Sequence, residues 1–225
     1  VSEQHEKSFY AVSAFPTDMN NKKENILRPK FWHDRGYLPH FDGGEIIQFV
    51  TFRLADSIPK NVVVKLKEEL EHNIISDREY HLKINKFLDD GCGKSYLKNE
   101  FVAQMIEETL LRFAEEKYKL ISWVIMPNHV HLLLIPGVNV TLAELMHSIK
   151  SYTAHQANKI LNRTGKFWSK EYFDRYMRDH EHYLKTIAYI ENNPVKAGLC
   201  KSASDWRFGS ARSGDNTGTH ATCGQ

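Results

Sequence analysis

With 225 residues, 41% of them hydrophobic and 26% charged, the chain has apolar material for one domain with a real core, which argues against general disorder. A formal net charge of only +2 provides no global basic field, so any affinity for nucleic acid must come from a local patch. Three cysteines, Cys92, Cys200 and Cys223, are odd in number and far apart, which argues against a disulfide framework or a cysteine-rich zinc site.

Residues 1–30 are polar and residues 212–225 rich in Gly, Ser and Thr, so both are expected to be mobile ends around a folded body of 31–211. The N-terminal "VSEQHEKSFYAV" has no signal-peptide pattern, and no apolar stretch nears the ~20 residues of a membrane span. The expectation is a cytoplasmic protein without membrane contact, nucleoid-associated if it acts on DNA.

The first predicted strand is "EIIQFVTFRL", residues 45–54. In "SIPKNVVVKLKEELEHNII", Val63, Leu66, Leu70 and Ile74 recur at helical spacing after the start signals Ser57 and Pro59. The stretch of about 76–100 reads as a charged, insertion-like connector; its "DDGCGK" lacks the spacing of a phosphate-binding loop. Leu97, Phe101, Met105 and Phe113 mark a second helix ending near Lys117.

"KLISWVIM" and "HVHLLLI" read as a strand pair joined at Pro127–Asn128. Thr141 and Glu144 form a capping box for a third helix, with core face Leu142, Leu145, Met146, Ile149 and Ile160. "GKFWSKEYFDRYM" fits a strand or an irregular segment, and a last helix from Glu181 to Asn192 should stop ahead of Pro194. This order predicts an α+β fold of the ferredoxin-like split βαβ kind, with a mainly antiparallel central sheet packed by helices.

His129 and His131 project from one face of their strand. Such a pair offers two ligands to a divalent ion, or two rings hydrogen-bonded at a strand end. The apolar run they open weighs against the second, since buried imidazole nitrogens without partners are costly. A three-histidine nucleotide hydrolase site is absent, because the next alternate position is Leu133.

In the last helix Tyr183, Ile187 and Ile190 share an apolar face, and Tyr189 lies roughly 120° away at ~100° per residue. Asn193 falls one turn after Tyr189 on the same face. The two could serve a metal site as nucleophile and third ligand, or be a half-buried phenol and a helix-end amide.

Taken together, "WVIMPNHVHLLL", "GKFWSKEYFDRYMRD", "YIENNPVKAGL" and "DWRFGSA", with "RGYLPHF" and "QFVTFRLADSIP" upstream, resemble the REP-associated tyrosine transposases. These form part of the single-tyrosine branch of the HUH endonuclease superfamily. The resemblance runs from about Arg35 to Arg212.

It implies that His129, His131 and Asn193 hold a divalent metal, Mg²⁺ or Mn²⁺, and that Tyr189 is the nucleophile, with Tyr183 its rival on the same helix. The implied reaction is cleavage and joining of single-stranded DNA flanking a palindromic hairpin, through a 5′-phosphotyrosine, by a monomer or homodimer. The expected DNA contacts are Lys150, Tyr152, Lys159, Arg163, Lys166, Arg175, Arg178 and Lys196, with Lys170, Phe167, Trp168 and Tyr172 interleaved. Two alternatives stand beside this reading: a domesticated hairpin-binding protein that does not cleave, and a metal-dependent phosphohydrolase that uses water.

Overall fold

The computed structural model describes residues 46–212, together with the backbone of two short paired strands, β1 (Trp32–Asp34) and β2 (Pro39–Phe41). The ends expected to be mobile lie outside these residues, apart from Arg212. The main sheet holds β3 (Gln48–Leu54), β4 (Tyr118–Ile125), β5 (His129–Pro136) and β6 (Trp168–Tyr176), all pairs antiparallel, in the order β4-β5-β3-β6. The chain leaves β3, crosses through helices to β4, and returns as β5 between the two, which is the expected split βαβ arrangement.

One sheet face carries Val50, Phe52, Leu54, Val130, Leu132 and Leu134 against helices α3 (Glu100–Glu116) and α4 (Leu142–Ile160). The predicted capping box opens α4: Thr141 Oγ1 accepts from Glu144 N, and Glu144 reaches back to Thr141 N. The opposite face carries Phe49, Val124 and Leu133 against α5 (His180–Lys196). Alternation along each strand therefore sends His129 and His131 to the α5 side and Val130 to the other.

Several expectations need correction. The stretch read as a connector contains α2 (Asp77–Asp89), opened by a Ser76–Glu79 capping box. It packs on α1 (Lys60–Glu71) around Ile58, Leu66, Ile75, Tyr80, Ile84 and Leu88. Charge density masked an amphipathic helix whose apolar residues, Leu82 apart, fall on one stripe. Phe101, Ile160 and Ile74, assigned to core faces, are exposed, and Val102, Ile106, Leu110, Thr153 and Ala157 fill those places.

The last helix also does not stop before Pro194; it runs through the ring to Lys196. Pro194 is buried, and Ala197 N and Leu199 N still find the carbonyls of Asn193 and Pro194. Packing thus overrides the local preference against helix ahead of proline. Gly93 sits at φ +76, and a Cβ there would run into the Asp56 carbonyl, so this glycine of "DDGCGK" serves a close chain crossing beside β3.

Candidate active site

The site is built on the β4–β5 hairpin. Met126 N donates to His129 O at 2.9 Å, leaving Pro127 and Asn128 as a two-residue turn, and Leu97 N and Leu54 N take up the Pro127 and Asn128 carbonyls. Asn128 is 1% exposed, with its Nδ2 donating to Leu88 O (3.2 Å) and Cys92 O (3.1 Å) at the end of α2. Held that way, its Oδ1 faces His129 Nδ1 at 2.6 Å and accepts its proton. Thr51, opposite His131 in the β3–β5 register, sets its Oγ1 2.7 Å from His131 Nδ1.

Both imidazoles are fully buried, and their Nε2 atoms lie 3.0 Å apart. With each Nδ1 acting as donor, both Nε2 lone pairs face one point. Burial pushes the His129 pKa down to about 3 and His131 well below its usual range, His129 and Lys196 adding to the second shift. Both rings are therefore neutral at physiological pH, the state a metal ligand requires.

Asn193 and Tyr189 descend on this pair from α5. The Asn193 side chain is 1% exposed, its Nδ2 is 3.3 Å from His131 Nε2, and its Oδ1 is buried without a partner among the described residues. The Tyr189 ring lies 5.3 Å from the His131 ring, while Phe49 stacks on His131 at 5.4 Å and meets Tyr189 edge-on at 6.0 Å. The Tyr189 hydroxyl is buried without a hydrogen-bond partner among the described residues. Burial and then the Asp89 carboxylate push its pKa above the usual phenol range, the nearby Asn193 amide opposing weakly. Tyr183, the rival, instead stacks on His180 at 6.0 Å.

The donors fit a hard divalent ion. Two nitrogens about 3.0 Å apart are the span of adjacent ligands each ~2.1 Å from one ion. Facing lone pairs at that distance repel unless a proton or a cation lies between them, and a half turn of the Asn193 amide directs its unpartnered oxygen to the same point. Among the described residues no cluster of three or more His, Cys, Asp or Glu side chains could hold a metal. The available third protein donor is the Asn193 amide.

The residues expected to contact DNA divide between two sides. Lys150, Tyr152 and Lys159 on α4, with Arg163 and Lys166 in the loop after it, lie on the side away from the histidines. A groove of about 370 Å³ there is lined in part by His147, Lys150, Lys166, Lys170 and Tyr172. The Arg163 guanidinium lies 4.5 Å over the Tyr96 ring and donates to Lys166 O, and Arg112 lies 5.2 Å over Tyr152. Phe167, Trp168 and Tyr172 are at most 7% exposed and pack in the core, so they are not free to stack on bases.

Arg175 and Arg178 are exposed near the α5 face, and Lys196 Nζ pairs with Asp89 Oδ2 at 3.1 Å. Sequence reading missed Thr51, Asn128, Phe49 and Asp89. Only the alternation of β3 hinted at Thr51 and Phe49, and no local pattern singled out the others.

Comparison with known proteins gives relatives of the chain and of its fold. Residues 92–193 match the family described as Transposase IS200 like. The REP-associated tyrosine transposase of Escherichia coli (strain K12) is 24% identical over 107 residues, covering 47% of this chain and 62% of the relative. A Haemophilus influenzae protein is 24% identical over 103 residues, 41% of this chain and 58% of its own length. The match thus spans about three fifths of these relatives. A solved REP-associated tyrosine transposase bound to a REP hairpin shares the fold, with a TM-score of 0.52 at 17% identity over 80% of this chain and 82% of that one.

Proposed function

From its similarity to the REP-associated tyrosine transposases, we propose that this chain is a metal-dependent single-stranded DNA endonuclease and strand transferase acting beside a DNA hairpin. The observation that carries the reading is the convergence of His129, His131, Asn193 and Tyr189, from one hairpin and one helix, on a single buried point.

His129, His131 and Asn193 would hold Mg²⁺ or Mn²⁺, which when bound supplies positive charge to the scissile phosphate and lowers the cost of a phenolate nearby. Asn128 and Thr51 keep the two imidazoles in the tautomer that leaves Nε2 free. Phe49 packs on both His131 and Tyr189 and so holds the two rings in mutual register.

Attack by Tyr189 Oη on phosphorus forms the 5′-phosphotyrosine and breaks the bond to the 3′ oxygen. That oxygen takes up a proton, and the phenol loses one to solvent. Reversal by a 3′-hydroxyl joins strands without ATP, because the tyrosyl ester keeps the phosphodiester energy. The hairpin as substrate is carried over from the solved relative, which is bound to one.

Denaturing gels of the protein incubated with labelled hairpin oligonucleotide and Mn²⁺ test this. A covalent adduct is expected for the wild type and for Tyr183→Phe, and none for Tyr189→Phe. An adduct that survives in Tyr189→Phe removes Tyr189 as nucleophile. The buried, unpartnered phenol favours a second reading, hairpin binding without cleavage. Binding with no adduct and no cut strand under any metal would establish that reading, and cut strands with ordinary hydrolysed ends would establish a water-using phosphohydrolase.

A further inference from the structure

Arg175 lies on the same sheet face as the histidine pair. The pairings Thr51–His131, Thr51–Phe173 and Phe49–Arg175 place it two strands across and one residue pair along from His131, about 12 Å between Cα atoms. The α2 helix reaches the same place: the His81 ring lies 3.8 Å from that of Phe173, two residues before Arg175. Arg78, on the turn of α2 before His81, is exposed, as are Arg175 and Arg178. Arg178 N in turn lies 3.5 Å from His182 Nδ1 on α5.

These groups sense one another as like charges. Arg78 and Arg178 each depress the Arg175 pKa beyond the effect of burial, and Arg175 depresses His81 and His182. The neighbouring carboxylate Asp179 is engaged in accepting from His182 N at 2.7 Å. Among the described residues no ion pair joins Arg78, Arg175 or Arg178 to a carboxylate. Three guanidiniums gathered from α2, β6 and the loop after it, beside the active site and with no anionic partner among the described residues, call for a polyanion.

We propose that Arg78, Arg175 and Arg178 form a phosphate track for the single-stranded flank of the DNA, holding the strand that runs into the Tyr189 site. The assignment rests on the nuclease reading above and gives α2 a substrate-binding role. A flank is favoured over the hairpin stem because Arg175 shares the sheet face of the histidine pair and lies about 12 Å from His131 between Cα atoms. The same strand meets both.

The test is the salt dependence of binding. A fluorescein-labelled DNA hairpin with a single-stranded flank and the same hairpin without it are titrated with protein over a range of NaCl concentrations. Each lost contact to a single strand should flatten the slope of log K against log[salt] by about 0.7. Arg78→Gln, Arg175→Gln and Arg178→Gln should each show that change on the flanked hairpin and none on the blunt one. The corresponding Lys variants, which keep the charge, should retain the wild-type slope.

Unchanged slopes in all three Gln variants would overturn the track, and equal flattening on both DNAs would reassign the arginines to the stem. Thermal melting of each variant separates these outcomes from misfolding, and if one Gln variant unfolds the slopes of the other two still decide. A wild-type protein that forms the tyrosyl adduct while the Gln slopes stay at the wild-type value sinks this inference alone. One that forms no adduct sinks the nuclease reading and leaves the slopes to speak for the track.

Discussion

Asn128 closes the turn ahead of His129, yet its larger contribution is to the imidazole itself. Two backbone carbonyls, of Leu88 and Cys92, fix its amide so that only its oxygen can face His129 Nδ1. Thr51 does the same for His131 from the neighbouring strand. Partners of this kind orient a metal-binding imidazole, and their loss typically costs ~10–100-fold in metal affinity. Asn128→Ala and Thr51→Val should therefore weaken Mn²⁺ binding by about that factor, read by titration followed by electron paramagnetic resonance. An Mn²⁺ affinity within about twofold of wild type would show that the rings hold their tautomers unaided. The histidine pair, Tyr189 and Asn193 were legible in the sequence because local spacing carries them: two residues on a strand, one turn on a helix. Thr51 was not, since its bond to His131 spans 80 positions and depends on a strand register that one sequence does not reveal.

Among the elements, α2 shows where sequence reading failed and what the failure concealed. Its charged composition reads as a connector, but the helix supports His129 through Asn128, meets α5 through Asp89 and Lys196, and touches β6 through His81. The antiparallel α+β class, the α4 capping box and, as one of two readings, the β6 strand could be anticipated because alternation, helical periodicity and caps are local signals. The docking of α2 is a tertiary fact, set by which apolar stripes find one another. Its contact with β6 is pH-sensitive, because burial, aided by Arg175, lowers the His81 pKa to about 4. An unfolded histidine titrates near ~6.5. Between those values the unfolded chain binds the extra proton, so stability is unaffected above about 6.5, falls as pH drops toward 4 and levels off below. His81→Phe, which keeps a ring against Phe173, should remove this component. The wild-type-minus-variant unfolding free energy, from urea titrations across that window, should fall by at most about 1 kcal/mol per pH unit. A difference independent of pH would show that His81 titrates in the folded protein as it does in the unfolded chain.

For the molecule as a whole, the candidate site exists only when the fold is complete. Its donors come from β5 and from α5, 62 positions apart between His131 and Asn193, and the unfolded chain has no means of holding them together. An ion that binds the native arrangement alone stabilises the fold by mass action, about 2.7 kcal/mol at a hundred times its dissociation constant. For a domain of this length each kcal/mol raises the melting temperature by roughly 2–4 °C, so saturating Mn²⁺ should raise it by about 5–10 °C. EDTA should reverse the rise. His129→Ala, His131→Ala and Asn193→Ala should each remove most of it, whereas Tyr189→Phe, which deletes the proposed nucleophile and no ligand, should retain it. Retention in the ligand variants would place the ion elsewhere, and loss in Tyr189→Phe would make the phenol a ligand. Reading this shift alongside the adduct assay separates the two halves of the site, because metal binding and covalent attack then fail in different variants.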